Sequence, residues 1–98
     1  MFVMVRYTLA ADRKDENEAL VRAVYEELAR VAPAGLRYVT SRDAEGIRYV
    51  HFAEITTADG VSPLLAIDAF KRFTAAIADR CVEPPITLRL EAIGRYGI

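Results

Sequence analysis

A chain of 98 residues makes one domain the natural expectation, and a domain this small buries only about 65% of its unfolded surface. Its hydrophobic fraction is 53%, more than a small monomer readily hides, so an interface or ligand cavity is expected to take some of it. Thirteen basic and fourteen acidic residues leave a formal charge of −1 with no Lys/Arg block, which argues against a nucleic-acid partner.

Residues Phe2 to Leu9 alternate, with Val3, Val5, Tyr7 and Leu9 on one side and Phe2, Met4, Arg6 and Thr8 on the other. Both sides carry apolar residues, so this reads as a central strand. The apolar run before Arg6 is too short for a signal peptide or a membrane span. With the single cysteine, Cys81, it predicts a cytoplasmic protein without membrane contact.

Asp12 is placed to cap a helix running to about Val31, with Leu20, Val24, Leu28 and Val31 at helical spacing and Val21 and Tyr25 widening the stripe. Pro33 and Gly35 end it. Strands follow over 35–43 and 47–56, joined by Asp43-Ala44-Glu45-Gly46. A bulged turn pairing Asp43 with Ile47 puts Leu36, Tyr38, Thr40, Val50 and Phe52 on one face. Arg37, Val39, Ser41, Tyr49, His51, Ala53 and Ile55 fall on the other. A plain two-residue turn would shift this register by one.

Residues 57–63 read as a loop with Gly60 and Pro63 as breakers. Ile67, Phe70, Phe73, Ile77 and Cys81 recur at helical spacing, with Asp68 as a cap and Pro84-Pro85 as the stop. Residues 86–93 alternate as a last strand. Two β-α-β units with right-handed crossovers predict a ferredoxin-like α+β domain. Its four-stranded antiparallel sheet has the order 4-1-3-2, with both helices on one face. The other face would carry Met4, Val39, Tyr49, Ile55 and Ile93. A second copy of the same sheet is the simplest cover, giving a homodimer.

The opening MFVMVRYTL, the helix ENEALVRAVYEELAR, the strand RYVHFAEI and the helix AFKRFTAAI together resemble the dimeric α/β-barrel superfamily of antibiotic-biosynthesis monooxygenase-like proteins. The resemblance covers the whole chain in length and element order. It implies face-to-face pairing and a small-molecule cavity between sheet and helices. It also implies activities such as oxygenation of polyphenols and quinols without a cofactor, or haem degradation. The haem-degrading branch resembles an Asn, Trp and His constellation. Here there is no Trp, and the only Asn is Asn17.

His51, the only histidine, falls mid-strand. In the preferred register it points away from the helices, where a neutral imidazole could take a proton from a phenol or hydroquinone. The alternative is a hydrogen-bonded histidine that packs a strand. Arg6 and Glu91 are charged residues on strands expected to be covered. They would bind an anionic substrate group or pair with other charges. Tyr7, Tyr38 and Tyr49 are placed to wall a cavity for an apolar or aromatic molecule, or to be plain core. One histidine with no cysteine cluster argues against a zinc site, and no phosphate loop or dinucleotide fingerprint calls for a cofactor. The reading is an oxygenase-like enzyme with His51 as base. The alternatives are a module that binds a small molecule unchanged, or a structural or stress-response dimer.

Overall fold

The computed structural model describes residues 1–97. Strand β1 (Phe2–Leu9) leads through a 3₁₀ turn at Ala11–Arg13 into helix α1 (Lys14–Val31). Strands β2 (Leu36–Arg42) and β3 (Arg48–Ile55) form a hairpin. A second 3₁₀ turn at Pro63–Ala66 precedes α2 (Asp68–Ala75) and the single-turn α3 (Ile77–Arg80), and β4 (Cys81–Leu90) closes the fold. The antiparallel sheet has the order β2-β3-β1-β4, the predicted 4-1-3-2 seen from its other edge. This is the expected ferredoxin-like α+β architecture.

The helix caps differ from expectation. Asp12 belongs to the 3₁₀ turn, and no side chain caps α1. Asp68 does not cap α2 either. Glu27 reaches across from α1, and its carboxylate accepts from the Asp68 and Ala69 amides at 3.1 and 2.8 Å. An acceptor at that positive helix end does the work of a cap and ties the two helices together. At the far end of α1, Ala32 takes a left-handed conformation and its amide closes on the Leu28 carbonyl at 2.8 Å. Pro84-Pro85 lies inside β4 and not at a helix end. β4 is an edge strand whose register against β1 slips twice, and such a strand tolerates proline.

The largest correction concerns the β2–β3 register. Asp43 pairs with Arg48, not Ile47, because its amide donates to the Arg48 carbonyl at 3.0 Å. The Asp43 carboxylate gathers the amides of Gly46, Ile47 and Arg48 at 2.9–3.2 Å. Gly46 sits at φ +78°, so Ile47 is absorbed into the turn. One extra loop residue moves every β3 side chain to the other face relative to β2. Leu36, Tyr38 and Thr40 therefore lie beside Ile55, Ala53 and His51.

That set joins Val5, Tyr7 and Leu9 of β1 under the helices. Tyr7, Leu9, Val21, Val24, Tyr49, Leu64, Ile67, Ala69 and Phe73 make the core. The opposite face carries Phe2, Met4, Arg6, Val39, Val50, Phe52, Ile86 and Leu88, together with Leu90. Val39 is 53% exposed and Leu88 41%, so this face is apolar and open. Tyr49, His51 and Ile55 do not belong to it. Ile93 lies beyond β4 and is fully exposed.

Candidate functional site

Under the helices lies a cavity of about 380 Å³, within the range that holds small molecules. Its floor is Val3, Val5, Tyr38, His51 and Ala53 of the sheet. Its roof is Leu64, Phe70, Phe73 and Ile77, and Pro85 and Thr87 of β4 form one side. The lining is mostly apolar, with a few hydroxyls and the His51–Tyr38 pair as its polar features.

His51 is 4% exposed and bonded at both ring nitrogens. Tyr7 Oη lies 2.7 Å from Nε2, Tyr38 Oη 2.6 Å from Nδ1, and Thr40 Oγ1 3.1 Å from Nδ1. Thr40 Oγ1 in turn meets Tyr25 Oη at 2.9 Å. Behind Tyr7, Asn17 Nδ2 donates to the phenol oxygen at 3.0 Å. Arg80 Nε donates to Asn17 Oδ1 at 3.1 Å, and its Nη2 donates to the Phe73 carbonyl at 2.7 Å. Asn17 is fully buried and Arg80 is 2% exposed.

Donor and acceptor directions follow from the Arg80 end. A guanidinium only donates, so the Asn17 oxygen must face it and the Asn17 NH₂ must face Tyr7. The Tyr7 oxygen accepts that bond. Its own hydrogen has one remaining partner, Nε2 of His51. A neutral imidazole then carries its proton on Nδ1, which donates toward Tyr38 and Thr40. Burial pushes the His51 pKa down to about 4, so the ring is neutral near pH 7. The Tyr38 hydrogen is left turned away from His51. Burial also raises the pKa values of Tyr7 and Tyr38, which keeps both as phenols.

The expected site residues separate into four places. His51 lines the cavity and Tyr7 stands directly behind it, with rings 5.4 Å apart. Tyr49 stacks on Tyr7 at 5.3 Å but faces a different, open groove beside Glu18, Arg22 and Tyr25. Arg6 is exposed on the open sheet face, paired across strands with Val50 and Ile86. Glu91 lies past the end of β4 in solvent. Neither charge reaches the cavity, because each belongs to a face or segment that the helices do not cover.

Asn17 and Arg80 complete the site and carried a readable signal. Asn17 precedes Val21 and Val24 by four and seven residues, and Arg80 follows Phe73 by seven. Asn17 therefore stands on the apolar stripe of α1, and Arg80 keeps that spacing in sequence although α2 breaks at Ala76 before α3; a polar side chain at such a position must find buried partners.

No protein-family model and no curated protein matches this chain. Solved structures do resemble it. Rv0793 from Mycobacterium tuberculosis superposes with a TM-score of 0.76 at 18% identity, covering 96% of this chain and 95% of that one. A crystal structure of an antibiotic biosynthesis monooxygenase gives 0.75 at 19% identity, over 95% and 98%. A variant of SnoaB, a cofactor-independent oxygenase from Streptomyces nogalater, gives 0.60 at 19% identity over 96% of each chain. The fold is thus the ferredoxin-like α+β fold of antibiotic biosynthesis monooxygenase-like structures, as the sequence resemblance implies. Among the described residues no helix is long and apolar enough to cross a membrane.

Proposed function

We propose that this protein is a cofactor-independent oxygenase that acts on a hydroxylated aromatic in the helix–sheet cavity. The observation that carries the reading is the cavity itself, an apolar space with the neutral His51–Tyr38 pair as its polar floor. A flat phenol packs between Phe70, Phe73 and the sheet, with its oxygen against Tyr38. The phenolate form is electron-rich and reacts with O₂ directly. For a naphthol-type substrate, the ring carbon para to the hydroxyl gains one oxygen atom and a quinone forms. The second oxygen atom leaves with the two displaced hydrogens as water. All four electrons come from the substrate, so neither flavin nor external reductant is required. The cofactor-independent oxygenase among the similar structures supports the same reading.

His51 takes a different part from the base expected of it. With Nε2 filled by Tyr7 and the proton on Nδ1, it supports the Tyr38 donor and does not itself collect a proton. A hydrogen bond from Tyr38 to an anionic oxygen contributes about 1.5–3 kcal/mol. Incubating the protein in ¹⁸O₂ with a panel of naphthols unsubstituted at the ring carbon para to the hydroxyl tests the proposal. One ¹⁸O in the quinone, with the rate falling at least tenfold in Tyr38→Phe, is expected. Bound phenols recovered unchanged across the panel would instead favour a binding module, the reading that the absence of a free base at His51 supports.

The open sheet face supports a second copy of the chain as partner. Val39, Val50, Ile86, Leu88 and Leu90 are all more than a third exposed there. Leu88→Glu should turn a dimer into a monomer in sedimentation. A wild-type monomer at micromolar concentration would remove this part of the proposal.

A further inference from the structure

The chain of hydrogen bonds behind the cavity has one direction, and its far end is a cation. Arg80 donates to Asn17, Asn17 to Tyr7, Tyr7 to His51 and His51 toward Tyr38. Every hydrogen in the series points from the guanidinium toward the cavity. Among the described residues Arg80 makes no ion pair. Its partners are the Asn17 oxygen, the Phe73 carbonyl and the Phe73 ring, 5.5 Å from the guanidinium carbon. Glu16, the acid whose pKa Arg80 helps to lower, lies in solvent and is bonded to Arg13. A buried positive charge without a buried carboxylate is costly unless something else supplies the negative charge. No carboxylate lines the cavity.

We propose that the cavity selects the ionised form of an acidic hydroxylated aromatic. Tyr38 donates to the anionic oxygen. Arg80, acting through Asn17, Tyr7 and His51, is the positioning residue that fixes the direction of that donation. This rests on the helix–sheet cavity being the substrate site, and it adds the ionisation state the site requires. Two effects oppose each other. Burial in an apolar cavity favours the neutral phenol, as it does for Tyr7, Tyr25 and Tyr38 themselves. The aligned donors and the distant cation favour the phenolate. A neutral phenol would need an acceptor for its hydrogen. The Tyr38 oxygen already accepts from Nδ1 and Nε2 already accepts from Tyr7, so that acceptor would have to be a lone pair of the Ser62, Thr74 or Thr87 hydroxyl on the cavity wall, away from the aligned series. The groups around the ligand oxygen are Tyr38 and His51, with Tyr7, Tyr25 and Arg80 behind them.

The sign of the pKa change of a bound phenol decides the matter. The probes are 4-nitrophenol and 4-nitro-1-naphthol, whose phenolates absorb in the visible and whose electron-poor rings resist oxygen. Each is titrated free and saturated with the full-length protein. The pKa of the bound probe should fall by about one unit, equivalent to tenfold tighter binding of the phenolate. Tyr38→Phe should still bind the ring but reverse the shift upward. Tyr7→Phe breaks the series without touching the cavity wall and should remove most of the shift. Arg80→Met should do the same, with Arg80→Lys restoring part of it. An upward or absent shift in the wild type overturns the inference. So does a downward shift that survives unchanged in both Tyr38→Phe and Tyr7→Phe, and so does failure of both probes to bind. A downward shift without oxygen uptake from any naphthol would keep this inference and refute the oxygenase. Oxygen uptake without the shift would do the reverse.

Discussion

Replacing Asn17 with alanine should destabilise the fold by roughly 3–5 kcal/mol. The side chain is fully buried, accepts from Arg80 at 3.1 Å and donates to Tyr7 at 3.0 Å. Losing the bond to the charged guanidinium costs about 1.5–3 kcal/mol and losing the neutral one about 1 kcal/mol. The rest comes from leaving a buried guanidinium N–H without an acceptor. In a domain near 100 residues each kcal/mol moves Tm by about 4–8 °C, so the fall should be roughly 12–40 °C. Arg80→Met loses its bonds to Asn17 Oδ1 and the Phe73 carbonyl, but it also removes a buried charge that has no carboxylate partner and leaves an apolar chain beside Phe73, so it should cost less than Asn17→Ala, about 2 kcal/mol. In the Arg80→Met background, Asn17→Ala should cost at least about 1.5 kcal/mol less than it does alone. The assay is urea unfolding by circular dichroism at pH 7 and fixed protein concentration. An Asn17→Ala cost below about 1 kcal/mol, or strictly additive costs in the double variant, would refute the reasoning.

Two further perturbations probe other parts of the structure. The His51 pKa is about 4 in the fold and 6.5 in an unconstrained chain, so the unfolded state takes up a proton first as pH falls. The stability tied to neutral His51 is complete above pH 6.5. It declines by roughly 3 kcal/mol as pH drops to about 4, and His51→Gln should flatten the wild-type curve by that amount in urea titrations; parallel curves would contradict it. Gly35 sits at φ +80°, and an added Cβ would meet Thr57 Cγ2 at 2.7 Å. Gly35→Ala should cost about 2 kcal/mol in thermal unfolding. Thr57→Ser, which removes that methyl, should recover the steric part but not the backbone part; full recovery would assign the whole cost to the clash.

The strands and helices were legible because their periods are strong. β1 spans the residues that its alternation marks, and α1 ends where Pro33 and Gly35 require. The face occupied by His51 was not legible, because it hangs on a single residue of the hairpin. Whether Ile47 opens β3 or closes the turn depends on the Asp43 carboxylate collecting three amides, a choice that strand alternation cannot decide. The error carried through to Tyr49 and Ile55 as well. Arg6 and Glu91 looked covered only because any charge on a strand of a small sheet does. One face stays open, and β4 stops at Leu90. Asn17 and Arg80 could be placed by their helical spacing, but their meeting across 63 residues is a product of the fold.

The directed series from Arg80 to Tyr38 is the centre of the account, and His51 reports on it alone. It is the only histidine in the chain, so its ring-nitrogen ¹⁵N shifts need no assignment. Measured at pH 7 by long-range proton–nitrogen correlation, they should show a neutral ring with Nδ1 protonated and Nε2 bare. A proton on Nε2, or on both nitrogens, would contradict the account.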